Sequence, residues 1–376
     1  MRNRFRRVFL SAVILSLSAS AAVAQRPALP ARADSNDWNS YYDRGVELLR
    51  HGGVGAADEL FRWAARLEPS RAEPLYARFV VFHLRDIRRF ERYLLDDPRV
   101  LRNPAVIAAD SLQVMALTRN PFVHRGLIAL AYDQLPGRWG DDVYTRAFLA
   151  YAGGDLPRAV QGLERVVHDS PRDLRARYHL ALTLVNLHRY DAARVELDSV
   201  MAGLRRGEER RVTPVYESKE LLLYGIGLLY LAQNRTAQAR EAFAQAVLED
   251  ASQWYVHRGL GLALLDGGQA REALNEYRTA LELAGDEPLL LKEYADALYG
   301  AGEYAAAAGQ LSRLVRIAPE WANAWRALGQ AELRAGRRAE AIEAFTAYLA
   351  RAPRSEAEAA ARVRAQLEQL RAAAPG

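Results

Sequence analysis

The sequence predicts an all-α fold, an α-solenoid of stacked antiparallel helix pairs, and three observations predict it. A pair of small residues recurs twelve positions apart: Gly261/Ala273, Ala295/Ala307 and Gly329/Ala341. Successive copies start 34 residues apart, at Trp254, Pro288 and Ala322. Each copy places a large apolar residue four past its alanine (Tyr277, Leu311, Phe345), and Pro319 and Pro353 stand twelve past it in two of them. Two helices pack closely only where their crossing point lacks bulk, and large side chains then fill the space around it. A proline after the second helix ends that helix and starts the next unit.

The chain opens with Arg2, Arg4, Arg6 and Arg7, an apolar run from Val8, and Ala22-Val23-Ala24 before Gln25. Residues 1–24 therefore read as a secretory signal peptide, too short in its apolar part for a spanning helix. Without these four arginines the formal charge falls from +5 to +1, so the balance gives no reason to expect a nucleic-acid partner. Residues 25–37, rich in Pro and small side chains, read as a flexible linker. A first repeat spans 38–71, with Gly45/Ala57, Phe61 and Pro69. Residues 72–139 lack the small pair but keep helical periodicity through Leu75, Phe79 and Phe82. Gly45 and Ala147 are 102 residues apart, room for two degenerate repeats. An inserted helical element is the alternative reading of this stretch.

Two clear repeats follow over 140–207, with Ala147/Ala159 and Ala181/Ala193. Between Ala181 and Gly227 twelve extra residues intervene, and 208–219 read as an inserted charged loop. Four repeats occupy 220–355, from Gly227/Ala239 to Gly329/Ala341. The total is about seven clear repeats plus two degenerate ones. Over 356–376, Val363, Leu367 and Leu370 share one side of a helix that caps the apolar end of the stack. Ser355 and Glu358 have capping-box spacing ahead of it.

The 34-residue period and its small-residue grammar resemble the tetratricopeptide repeat (TPR). Seven copies keep the spacing and four carry the terminal proline, although only Trp325 holds the tryptophan place of the family pattern. The resemblance implies that the first helix of each repeat lines a concave groove where a protein or peptide partner lies. Carried onto this sequence, the groove stripe includes Tyr144, Phe148, Tyr151, Tyr178, Tyr224, Tyr255, Arg258, Lys292, Tyr299, Arg326 and Arg334. Its middle is aromatic and its C-terminal part basic, which suits an acidic partner or a chain-terminal carboxylate. Family members that clamp such a carboxylate place Asn four residues after the cation. Here Leu262, Asp296 and Gln330 stand there, against that particular clamp.

Catalytic signals are weak. The histidines fall in no ligand spacing, and no nucleophile elbow or phosphate loop occurs, so neither an enzyme, a metal nor a cofactor is expected. Asp141 and Asp142 read as a turn with a helix cap rather than paired acids. No cysteine exists, which excludes disulfides and a lipid-modified N-terminal cysteine. The expected protein is an exported, periplasmic or extracellular scaffold that binds protein and has no membrane span in its mature chain. Glycan recognition by the aromatic groove, within an envelope polysaccharide or cell-wall machine, is the alternative.

Overall fold

The computed structural model describes residues 26–85, Leu112, Met115, Ala116, Thr118, Arg119, 142–206 and 219–372. The expected signal peptide, most of 72–141 and the charged insertion lie outside these residues. Among the described residues sixteen α-helices follow one another and no strand occurs. They are α1 (Trp38–Arg50), α2 (Val54–Leu67), α3 (Glu73–Arg85), α4 (Val143–Gly153), α5 (Leu156–Asp169), α6 (Leu174–Asn186), α7 (Tyr190–Arg206) and α8 (Lys219–Ala232). The series continues through α9 (Thr236–Glu249), α10 (Trp254–Asp266), α11 (Ala270–Ala284), α12 (Pro288–Gly300) and α13 (Tyr304–Ile317). It ends with α14 (Ala322–Arg334), α15 (Arg338–Arg351) and α16 (Ala357–Ala372). Each first helix packs on the second helix that follows it, and the second on the first helix of the next pair, giving the stacked solenoid the repeat predicts.

The small residue on each first helix is matched to the large residue on its partner. Gly45, Gly227, Gly261 and Gly329 face aromatic rings: Phe61, Phe243, Tyr277 and Phe345. A Cβ at Gly329 would lie 2.5 Å from Phe345 Cδ1, and at Gly45 2.6 Å from Phe61 Cε1. Gly261 is looser, its Cβ position 3.2 Å from the Tyr277 ring. Where the small residue is Ala147, Ala181 or Ala295, the residue sixteen positions on is Leu163, Leu197 or Leu311, buried in the same cluster. Glycine thus accompanies a ring and alanine accompanies leucine, conserving the volume at each crossing.

The turn inside each pair recurs just as strictly. Seven residues past each small residue the backbone enters the left-handed region: Gly52, Gly154, His188, Asn234, Gly268, Gly302 and Gly336. The amide of the following residue then donates back across the turn, as from Gln269 N to Leu264 O at 2.8 Å or from Arg337 N to Glu332 O at 2.8 Å. His188 and Asn234 occupy this conformation without glycine's freedom. The prolines Pro69, Pro171, Pro319 and Pro353 stand directly after the C-caps Glu68, Ser170, Ala318 and Ala352.

At the C-terminus Val363 and Leu367 of α16 are buried against Phe345 and Tyr348, so this helix caps the stack as its pattern predicts. Its start differs from expectation. Ser355 lies inside a 3₁₀ turn, Arg354–Glu356, and the Arg354 N–H donates to Asp34 Oδ2 at 2.6 Å. The acceptor comes from the opposite end of the chain. Residues 26–37 likewise differ from a free linker. Leu29 packs beside Tyr41 and Trp63, and Arg26 lies 5.4 Å over the Trp63 ring and 3.4 Å from Glu320. These side chains strap the first repeat to the last.

The matched crossings predict a specific non-additivity. Gly329→Ala should destabilise by about 1–3 kcal/mol through overpacking. In a Phe345→Leu background the same change should cost less than half as much in equilibrium denaturant unfolding. Equal costs in both backgrounds would uncouple the two positions.

Candidate protein-binding groove

First helices α8, α10 and α12 present Tyr224, Arg258 and Glu293 toward one another. The chain spaces them about one repeat apart, so stacking brings them into register. Arg258 is 5 % exposed. Its Nε and Nη2 donate to Glu293 Oε2 and Oε1, both at 2.6 Å, in a two-pronged ion pair. Its Nη1 donates to the Thr118 carbonyl oxygen at 2.6 Å and also meets the Tyr224 hydroxyl. Tyr224 donates to the same carbonyl at 2.9 Å. Burial works against the guanidinium charge, but Glu293 and Tyr224 more than offset it and its pKa is raised. Burial pushes the Tyr224 hydroxyl up to about 12, so it stays a donor.

Thr118 itself is wholly buried. Beside it Arg119 pairs with Glu287, the N-cap of α12, whose other oxygen accepts from Leu290 N at 2.7 Å. Arg119 Nε also donates to the Pro69 carbonyl at 2.8 Å. Two residues before Thr118, Ala116 packs into the N-terminal core with Leu49, Phe61 and Val81. Residues of the 72–139 stretch therefore lie against the first helices of the C-terminal repeats.

The predicted stripe separates into four groups. Tyr144, Phe148 and Tyr178 gather around His179, with the Phe148 and His179 rings 4.6 Å apart. Tyr151 and Tyr178 are buried, as are Tyr224, Tyr255 and Arg258. These five offer a partner no open surface in this conformation, because helix neighbours and the N-terminal residues cover them. Lys292 and Arg326 stay partly exposed on a cavity of about 440 Å³. Glu68, Ser70 and Arg71 of the first repeat also line it. Lys292 is paired with Asp296 at 2.6 Å, and Arg326 Nη2 donates to Asn323 Oδ1 at 2.8 Å. Tyr299 and Arg334 stand apart from that cavity. They cluster with Tyr304, which accepts from Arg334 Nη2 at 2.6 Å.

Sequence reasoning missed Thr118, Arg119, Glu287, Glu293, His179 and Tyr304. Glu293 sits one position after Lys292 and carries a repeat-spaced signal. Thr118 and Arg119 carry none, since their contacts with the C-terminal repeats span more than a hundred residues. Asp142 caps α4, accepting from Thr145 N at 3.0 Å, as the sequence predicts. Asp141 lies outside the described residues. Among the described residues no group of three or more His, Asp or Glu could hold a metal ion. No described helix is long and apolar enough to cross a membrane.

The fold and this inner face define a helical-repeat interaction scaffold. The tetratricopeptide repeat family model matches residues 144–208, 224–288 and 293–356, more than half of the chain, and the chain belongs to that family. Solved structures similar to it include MamA, at 17 % identity over 50 % of this chain and 96 % of that one, with a TM-score of 0.42. YrrB, described as a TPR protein with an unusual peptide-binding site, is 18 % identical over 52 % of this chain and 94 % of its own, with a TM-score of 0.40. PilW, described as a type IV pilus biogenesis factor, is 17 % identical over 55 % and 91 %, with a TM-score of 0.44. No curated protein matches the chain.

The buried groups can be tested in two ways. Arg258→Met leaves the half-buried Glu293 carboxylate unpaired and removes the buried guanidinium's bonds, and should cost about 2–4 kcal/mol in denaturant unfolding. Adding Glu293→Leu should recover much of that loss, whereas a surface pair would show neither effect. For His179, burial pushes the ring down from 6.5 to about 4. Its Nδ1–H donates to the Arg175 carbonyl at 2.9 Å, with the Tyr144 hydroxyl 3.0 Å away. The unfolded chain binds this proton first as pH falls, so the contribution is intact above pH 6.5 and is lost progressively between 6.5 and about 4. Stability measured across that window should fall less steeply in His179→Gln than in the wild type.

Proposed function

We propose that the chain is an exported, non-enzymatic adaptor of the cell envelope that holds an acidic protein segment against the concave face of its C-terminal repeats. The observation that carries the reading is the cavity between α12, α14 and the first repeat, with Arg71, Lys292 and Arg326 around it and the Gln330 amide at its wall. Of the charged residues on the same walls, Glu293 pairs with Arg258 and Asp296 with Lys292, which leaves Arg71 and Arg326 to meet a partner's carboxylate. Glu68 accepts from Ser70 Oγ at 2.5 Å, and burial raises its pKa. Arg71 lies 5.0 Å over the Trp38 ring, a placement that leaves its guanidinium edge able to donate. A carboxylate-bearing segment matches these donors better than a neutral one.

Arg258 takes no part in this recognition, because its donors are already committed. The N-terminal signal pattern supports export, and cleavage after Ala24 would leave Gln25 at the mature end. Sequencing the N-terminus of protein recovered from an envelope fraction tests that half; an intact Met1 in the cytoplasmic fraction refutes it. For the groove, an array of acidic and neutral peptides should show preference for the acidic set, falling as salt rises. Lys292→Glu combined with Arg326→Glu should weaken that binding at least about tenfold with the helical content unchanged. Undiminished binding would remove the acidic-partner reading.

A further inference from the structure

The repeat itself shows what a cation on this face binds. Arg258, Lys292 and Arg326 stand at one position of three successive first helices, 34 residues apart. Arg258 is met by Glu293 of the next first helix, its Nε and Nη2 on one carboxylate at 2.6 Å. One and two repeats on, the place of Glu293 is taken by Ala327 and Ala361, whose side chains offer no acceptor. Lys292 pairs instead with Asp296 on its own helix, again a carboxylate, at 2.6 Å. Among the described residues Arg326 receives none. Its Nε and Nη2 donate to Asn323 Oδ1 at 3.2 and 2.8 Å, a neutral amide that orients the guanidinium without cancelling its charge.

The amide is in turn fixed from behind. Asn323 Nδ2 donates to Glu356 Oε1 at 3.1 Å, and the Tyr348 hydroxyl donates to Glu356 Oε2 at 3.1 Å. Burial, and after it the charge of Glu356, pushes the Tyr348 hydroxyl up to about 12, so it remains a donor. With Oδ1 and Nδ2 both engaged, Asn323 cannot turn over without losing a bond at each end. The series Tyr348, Glu356, Asn323, Arg326 thus holds one edge of the guanidinium. Its Nη1 has no acceptor among the described residues, and Arg326 lines the cavity. The edge formed by Nη1 and Nη2 is the fork that a carboxylate meets with two parallel bonds. On the same wall Trp321, 3 % exposed, adds an indole N–H that also lacks an acceptor among the described residues.

We propose that Glu356 and Asn323 are positioning residues, which hold the Arg326 fork ready for a carboxylate side chain of the partner segment, the part that Glu293 plays for Arg258 inside the fold. This rests on the acidic-segment reading of the cavity and adds the residues that prepare it. Glu356 is not among the residues lining the cavity and acts through Asn323 rather than on the ligand.

The sign of one substitution separates positioning from charge. The Glu356 charge adds to the burial that raises the Glu68 pKa, so it acts at the cavity wall. By charge alone, removing it tightens an anionic ligand. By positioning, removing it weakens that ligand. The probes are an octapeptide of alternating Gly and Glu, blocked at both ends, and its Gln counterpart, each titrated into the full chain by calorimetry. The wild type should prefer the Glu peptide. Glu356→Ala and Asn323→Ala should each weaken that peptide at least about tenfold, leave the Gln peptide unchanged, and lose no more when combined. Glu356→Gln keeps an oxygen for Asn323 Nδ2 and an amide for the Tyr348 hydroxyl, and should bind within about threefold of the wild type. Where Glu356→Ala fails to fold, Asn323→Ala, at a partly exposed residue, carries the same test. If the wild type prefers the Glu peptide but the alanine variants bind it equally or more tightly, the positioning role is overturned and the acidic-segment reading stands. A loss in Glu356→Gln as large as in Glu356→Ala overturns it too. A wild type indifferent between the peptides removes both.

Discussion

A guanidinium buried in the inner wall of the solenoid sets the constraint on the rest of this structure. Removing such a charge from water costs several kcal/mol unless its donors are all met. Glu293 meets two of the Arg258 donors from the neighbouring first helix. The remaining direction is met by Thr118, which is 140 residues distant in sequence. The N-terminal module is therefore part of the solution to a charge that the C-terminal repeats create. Arg119, paired with Glu287 and bound to the Pro69 carbonyl, ties the same segment to the first repeat as well. The strap over residues 26–37 adds contacts to Glu320 and Arg354 at the far end. Through these contacts the N-terminal residues lie against the C-terminal repeats.

That arrangement rests on a register that is local. The crossing of each helix pair is set by residues twelve and sixteen positions apart, and its turn by the residue seven past the small one. Contacts of this range are written into a single repeat, which is why the period, the pairing and the capping helix were legible in the sequence. The volume rule, glycine under a ring and alanine under leucine, was also on view in the spacing of Gly329 and Phe345 or Ala295 and Leu311. It acquires meaning only when the ring is seen over the glycine. Two turns hid themselves, because His188 and Asn234 take a backbone conformation that the sequence advertises only with glycine.

The groove was legible as a face and illegible as a surface. Helical spacing places Tyr224, Tyr255 and Arg258 on the first helices, where the family resemblance puts a partner. Whether such a face meets solvent depends on what crosses it, and here the chain's own residues do. Thr118 and Arg119 sit in a stretch without the repeat grammar, so nothing in their spacing points to a groove of other repeats. What stays partly open is the cavity by Lys292 and Arg326, with one wall supplied by the first repeat. The walls of that cavity thus come from two parts of the chain, the first repeat and the C-terminal repeats.

The fold-back can be measured directly, because the chain has no cysteine of its own. Spin labels on Ser35→Cys and Ser355→Cys, both exposed positions, report the distance between the N-terminal strap and the turn before α16. Pulsed dipolar spectroscopy should give one short, narrow distance distribution, as the contact of Asp34 with the Arg354 amide requires. A long or broad distribution in the folded protein would mean that the first repeat does not close over the inner wall, and would contradict the account.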